Sequence, residues 1–267
     1  MNAIFTADII MHKYFIFILI ILNGILYSQY NIINKYDINR EDDKIFIYSE
    51  HGNYEGVIKL LDNGIDANIV DIDKISPLML ASFNGHENIA DIFIKNGADI
   101  NIVNNFGYNA VMAAASQGHF NIFNMLLDNG ADINSINNDG NSILIEACFA
   151  NNIDIINKIL EYDIDINHKN NMGYTALIQS VINGYTEAVN ILLNNGTDIN
   201  ITANDGKNAL MFAVIRENID MIDTLLKYKP NINTVDNDSN TALDYAYDTG
   251  NEKIINMISE YYENNKF

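Results

Sequence analysis

The chain repeats itself every thirty-three residues, and that period leaves little freedom for the fold. A phrase ending in asparagine closes each unit: GIDAN at 64–68, GADIN at 97–101 and 130–134, DIDIN at 163–167, GTDIN at 196–200 and KPNIN at 229–233. Its last residues, Asn68, Asn101, Asn134, Asn167, Asn200 and Asn233, are evenly spaced with no slip. A second phrase keeps the same step through the anchor residues Ile45, Leu78, Val111, Leu144, Leu177, Leu210 and Leu243, giving seven units without insertion or deletion. A unit this short cannot bury its own apolar side, so it must lean on its neighbours, which is the logic of a solenoid.

Each unit reads as a helix, a turn, a second helix and an extended loop. Two residues before each anchor stands Asp43, Ser76, Asn109, Ser142, Thr175, Asn208 or Thr241, residues whose side-chain oxygen can accept an orphan N–H at a helix start. Pro77 follows its cap at the first helical position, where a missing N–H costs nothing. Three after the anchor the residue is small (Ala81, Ala114, Ala147, Ser180, Ala213, Ala246), except Tyr48 in the first unit, so neighbouring helices can approach closely. Seven after the anchor come Gly52, Gly85, Gly118, Asn151, Gly184, Glu217 and Gly250, the place for a left-handed helix stop, which Glu217 suits least.

The second helix carries an i, i+3, i+4 apolar stripe, as in Val57, Leu60, Leu61 and Phe123, Leu126, Leu127. It recurs as Val189, Leu192, Leu193 and as Ile222, Leu225, Leu226. The stripe closes at Gly64, Gly97, Gly130 and Gly196, with Asp163 and Lys229 as weaker substitutes.

These phrases resemble the ankyrin repeat. Ser76-Pro77-Leu78-Met79-Leu80-Ala81 is similar to that family's Thr-Pro-Leu-His-x-Ala start, Gly85-His86 and Gly118-His119 to its Gly-His turn, and Gly97-Ala98-Asp99-Ile100-Asn101 to its ending phrase. Asp139-Gly140-Asn141-Ser142 and Asp205-Gly206-Lys207-Asn208 match its loop glycine. The resemblance covers residues 42–267 and implies an all-α solenoid of stacked helix-turn-helix units with hairpin-like loops. The chain departs from the pattern in two ways. Met79, Met112, Ile145, Ile178 and Met211 replace the family's histidine, exchanging a polar contact for apolar packing; Lys74 and Ser239 replace the loop glycine, so those two hairpins are expected to be irregular. The degenerate first unit and Ser259, which stands where other units place leucine or isoleucine, suit terminal caps.

Ahead of the repeats lies a different kind of sequence. Met11-His12-Lys13-Tyr14 precedes the apolar run FIFILIIL at 15–22, and Tyr27-Ser28-Gln29 follows it with a small residue suited to cleavage. The run is too short for a comfortable span of about twenty residues. Residues 1–28 read as a signal peptide or an uncleaved N-terminal anchor, with a helix packed on the first unit as a third alternative. Met11 reads as the start, with 1–10 an extension ahead of it, and 29–41 as a linker. The expected location is exported, periplasmic or secreted, or membrane-anchored by this segment.

Fifteen Lys and Arg face thirty-five Asp and Glu, for a net charge of −20. Such a surface repels nucleic acid and anionic lipid, keeps the protein dispersed and steers basic partners toward it. Cys148 is the single cysteine, so no internal disulfide and no cysteine metal cluster can form, and it reads as a small inert core residue.

No pair among His12, His51, His86, His119 and His168 has the i, i+4 spacing of a helical metal site, and His86 and His119 read as turn residues. Asp66, Asp99, Asp132, Asp165 and Asp198 recur with the repeat, so they serve the unit rather than one active site. Neither a calcium loop, a phosphate-binding glycine loop nor a nucleophile elbow is present.

What remains is surface, and function should lie where the units differ. The loop tips differ: Asn105, Phe106 and Tyr108; Asn138, Asp139 and Asn141; Asn171, Met172 and Tyr174; Asn204, Asp205 and Lys207. The resemblance implies that these tips and the exposed side of the first helices form a concave face for a partner protein. Phe106, Tyr108, Met172 and Tyr174 either anchor that partner or pack along the hairpin row. The expected protein is a monomeric, non-catalytic scaffold with no cofactor and no small-molecule substrate. Two alternatives are a regulator that masks a basic partner electrostatically and a frame for an enzymatic or metal site.

Overall fold

The computed structural model describes residues 36–37 and 39–264; the expected leader and most of the expected linker lie outside the described residues. Among the described residues, fourteen helices follow one another in pairs. The first helices of the seven units are α1 (Glu41–His51), α3 (Pro77–Asn84), α5 (Ala110–Gln117), α7 (Ile143–Phe149), α9 (Ala176–Asn183), α11 (Ala209–Ile215) and α13 (Ala242–Thr249). The second helices are α2 (Tyr54–Asp62), α4 (Glu87–Lys95), α6 (Phe120–Asp128), α8 (Ile153–Ile159), α10 (Thr186–Asn194), α12 (Ile219–Lys227) and α14 (Glu252–Asn264). Each helix packs on its partner within the unit, the first helices pack on their counterparts along the whole array and the second helices do so through the sixth unit, so one apolar core runs the length of the array. The architecture is an all-α solenoid of helix-turn-helix repeats.

The caps explain why helices start in phase. Ser76, Asn109, Ser142, Thr175, Asn208 and Thr241 each accept the N–H three residues on. Asp43 does not: α1 begins earlier, at Glu41 behind Arg40, and the Asp43 carboxylate accepts the Asp37 N–H instead. The cause lies in the edge unit, where Tyr36 stacks on Phe46 at 4.9 Å and fixes the incoming chain.

The stop residues are left-handed in all seven units, including Asn151 at φ 53° and Glu217 at φ 52°. Side chains rarely adopt that conformation, so packing imposes it there. The small residues after each anchor are fully buried from Ala81 to Ala246, and so are the apolar replacements Met112, Ile145, Ile178 and Met211. Cys148 is fully buried, and desolvation pushes its thiol up to about 12, which keeps it inert.

Two expectations about loops are corrected. Lys74 and Ser239 take left-handed φ of 59° and 67°, and their hairpins keep the regular pattern because backbone bonds on both sides hold them. The N–H of Asp71 donates to the Ile75 carbonyl and that of Asp236 to the Asn240 carbonyl, as Asn104 does to Tyr108. Asp163, in contrast, is not among the left-handed residues, whereas Lys229, the other substitute, is.

Candidate functional site

The hairpin tips form one continuous ridge. In five of the six hairpins an Asp or Asn at the first position folds its side-chain oxygen back onto two backbone N–H groups, as Asn104 does to Phe106 and Tyr108, and Asn170 to Met172 and Tyr174. Ala203 breaks the series, and Asp205 supplies the Asx turn there by accepting the Lys207 N–H. Backbone bonds then tie each tip to the one before: Asn138 N–H to the Phe106 carbonyl at 3.0 Å, and Asn171 N–H to the Asp139 carbonyl at 3.0 Å.

The twelve residues singled out from sequence divide into three groups by where their side chains go. Asn105, Asn138, Asn171 and Asn204 form a ladder. Each donates its side-chain amide to the carbonyl one unit back, at 3.3 Å to Ile72 and 2.9, 2.8 and 2.8 Å to Asn105, Asn138 and Asn171; Asn237 continues it. Their outer edges stay exposed, but the amides are committed to the fold.

Tyr108, Asn141, Tyr174 and Lys207 turn inward, onto the first helices. The Tyr108 hydroxyl donates to Glu146 Oε1 at 2.7 Å, the Tyr174 ring meets the Phe212 ring edge-on at 5.7 Å, and Lys207 Nζ lies 3.3 Å from Asp236 Oδ2. These four take up space between hairpin row and helix row.

The third group points outward: Phe106, Asp139, Met172 and Asp205. Phe106 is 60% exposed and Met172 47%. They alternate along the ridge with acids: Asp73, Phe106, Asp139, Met172, Asp205, Asp238.

Sequence reading passed over the most perturbed polar cluster. Glu146 is buried on α7 and accepts three donors on one oxygen: the Tyr108 hydroxyl, and the Asn137 and Asn141 amides at 2.8 Å each. The Asn170 amide extends the cluster to Asn141, so three hairpins share it. Burial raises the Glu146 carboxyl above its ordinary range even against those donors, and burial with the facing carboxylate raises Tyr108 too. The available signal was register: at this position the other units carry Ile47, Leu80, Ala113, Gln179, Phe212 and Tyr245, none of them an acid.

A second cluster closes the far end. Burial opposes ionisation of Asp236, but the Tyr245 hydroxyl, the Asn240 and Asp238 N–H groups and Lys207 outweigh it and hold its carboxyl below the usual value. Burial and the Asp236 contact push Tyr245 up to about 12. Both clusters are tied to the hairpins they support.

The remaining candidates serve structure. His86 Nε2 meets the Glu50 carbonyl at 2.8 Å and His119 Nε2 the Phe83 carbonyl at 3.0 Å, joining successive turns. Asp66, Asp99, Asp132, Asp165 and Asp198 each accept the N–H two residues on, making the same Asx turn in every unit. Among the described residues, no group of three or more His, Cys, Asp or Glu could hold a metal ion, and no helix is long and apolar enough to cross a membrane.

The sequence profile described as "Ankyrin repeats (3 copies)" matches residues 45–137, 130–203 and 195–267. Among curated protein sequences none matches. Among solved structures the chain is similar to the ankyrin repeat domain of human ASB11, with a TM-score of 0.74 at 22% identity, over 81% of this chain and 96% of that one. At that identity the likeness speaks for the fold alone.

Proposed function

Because the chain belongs to the ankyrin-repeat family, whose repeats are protein–protein interaction modules, we propose that it is a non-catalytic scaffold for a basic partner protein. The contact surface in this reading is the outward row of the hairpin ridge with the adjoining exposed side of the first helices. One observation carries it: Phe106 and Met172 stand out from the tips, each between two aspartates. Large apolar side chains that face solvent are available to a partner, and aromatic residues and methionine are enriched at interfaces. The flanking acids and the net charge of −20 favour a cationic partner and disfavour nucleic acid.

Export, with residues 1–28 removed or kept as an anchor, completes the proposal, as does a monomeric state. N-terminal sequencing of the mature protein and its mass in solution test these two parts.

Capture of partners from the native host, read by mass spectrometry, tests the surface. The Phe106→Ala/Met172→Ala variant should keep its helical circular dichroism and lose roughly tenfold or more in partner affinity, the scale of losing an interface anchor. Unchanged capture overturns the ridge. A masking regulator, held by charge alone, predicts instead that binding is insensitive to this variant and falls steeply once the Debye length drops below about 10 Å.

A further inference from the structure

An open cavity of about 120 Å³ lies between the closing loops of the third and fourth units. Its apolar walls are Ile133, Ile136, Leu144, Ile159 and Ile164; Asn134, Asp165 and His168 bring polar groups to it. It lies in the unit whose closing turn departs from the others. Left-handed Gly64, Gly97, Gly130, Gly196 and Lys229 follow the other second helices, while Asp163 at the equivalent place is not left-handed.

The fourth unit therefore loses its helix closure. α8 stops at Ile159, short of the phase-matched ends Asp62, Lys95, Asp128, Asn194 and Lys227. The bond that Ala131 N–H makes to the Leu126 carbonyl, and Ala98 to Phe93, has no Ile164–Ile159 counterpart among the described residues. The loop then takes its own path, and Asn134 does not accept the Asp165 N–H as Asn101 accepts that of Asp132. The walls stay apart.

His168 Nε2 is 2.8 Å from the Gly140 carbonyl, so a neutral ring carries its proton there and keeps Nδ1 as an acceptor. Asp132, Asp163 and Asp165 stand on the same two loops, and none is in an ion pair among the described residues. An apolar cavity of about 150 Å³ holds a benzene ring. The space here matches a branched aliphatic side chain, and the acids around it match a flanking cation.

We infer that this cavity receives a leucine-sized aliphatic side chain of the partner, with an adjacent lysine or arginine pairing with Asp165. The inference rests on the reading of the chain as a binder of basic proteins, but it uses a surface other than the hairpin ridge.

The test uses the full chain with isotope-labelled isoleucine methyls and, as probe, the capped peptide Gly-Lys-Leu-Lys-Gly. Saturable shifts are expected at Ile136, Ile159 and Ile164. A peptide with alanine in place of leucine should bind roughly tenfold more weakly, and one with glutamate in place of lysine should give no shifts. Asp163→Gly, which permits the left-handed turn and closes the cavity, should abolish the shifts; Asp163→Ala, which removes the same charge without favouring that turn, should keep them.

Equal binding of the alanine peptide, no saturable shift, or full binding by Asp163→Gly overturns the inference. So do methyl shifts that depend on protein concentration without peptide, which identify a second copy as occupant. Phe106→Ala/Met172→Ala should leave the peptide shifts intact. Lost partner capture in that variant with no peptide shifts anywhere removes the cavity and keeps the ridge; the reverse pattern removes the ridge and keeps the cavity.

Discussion

Two rows of asparagines run along the array, one on the hairpin tips and one on the closing loops, and they differ in one rung. On the tips the series Asn105, Asn138, Asn171, Asn204 and Asn237 bonds without a gap. On the loops, Asn68, Asn101, Asn167 and Asn200 each accept the N–H of the next loop, but Asn134 does not. The tips hold together because their backbones also bond to one another, so a rung survives a changed neighbour. The loops meet through a side chain alone, and the rung is missing where the residue at the turn, Asp163, is not left-handed; Lys229, also not a glycine, takes the left-handed turn and its rung is made. At that same level the hairpin side carries the Glu146 cluster, which joins three hairpins. The array is held on its tip side where it is open on its loop side.

The largest expected effect comes from breaking the intact row at its backbone. A Cβ on Gly173 would lie 2.5 Å from the Asn204 nitrogen, at a φ of 78° that side chains avoid. Gly173→Ala should cost about 2–3 kcal/mol, combining left-handed strain with displacement of the next hairpin. Gly130→Ala on the loop side meets nothing within 4 Å and should cost only the strain, about 1 kcal/mol. Thermal melts of the two variants compare the rows directly, and equal losses would show that the tips are no tighter than the loops.

Next comes removal of a loop rung that is made. Asn101 accepts the Asp132 N–H at 3.1 Å and donates to the Gly130 carbonyl at 3.3 Å. Asn101→Ala should cost about 1 kcal/mol, the usual net worth of exposed hydrogen bonds of this kind, in denaturant titration.

The reinforcing cluster predicts a pH effect. A carboxyl whose folded pKa is raised stabilises the fold fully below its unfolded value, and that contribution is lost as pH rises through the folded value. Glu146 is raised by burial, so ionising it at neutral pH works against the fold. Glu146→Gln keeps an oxygen for Tyr108, Asn137 and Asn141 while removing the charge. It should raise the melting temperature at pH 7 by about one or two degrees, a change below about 1 kcal/mol. The gain should vanish below the ordinary carboxyl pKa near 4.5. A gain that persists at low pH would assign the effect to packing.

Much of this was legible from spacing. Six caps and the five glycine stops follow from residue types at fixed phase, because each is a local backbone requirement, whereas packing holds Asn151 and Glu217 left-handed. Lys74 and Ser239 misled for the opposite reason: their hairpins are held by bonds from Asp71 and Asp236 and by neighbouring tips, so tertiary contacts overrode local preference. The division of the tips was not legible, since alternation in a hairpin decides whether Tyr108 reaches Glu146 or Phe106 faces solvent. Both tyrosines that looked like anchors are engaged with the first helices. The cavity needs the combination of Asp163, a shortened α8 and an unmade rung, and only the first of these is written in the sequence.

The smallest expected effect is the most specific to this comparison. Asn134 has the same residue type, phase and Asx turn as Asn101, since its N–H meets Asp132 Oδ1 at 2.9 Å. Its side chain makes no bond to the fourth loop, so Asn134→Ala should change stability by less than about 0.5 kcal/mol, the range of surface substitutions that touch nothing. In an Asp163→Gly background the left-handed turn returns, the loops close, and the same substitution should then cost about 1 kcal/mol, as Asn101→Ala does. A double-mutant cycle measures that coupling. Additive changes would mean that residue 163 does not govern the rung, and that the parting of the two loops has some other cause along 159–168.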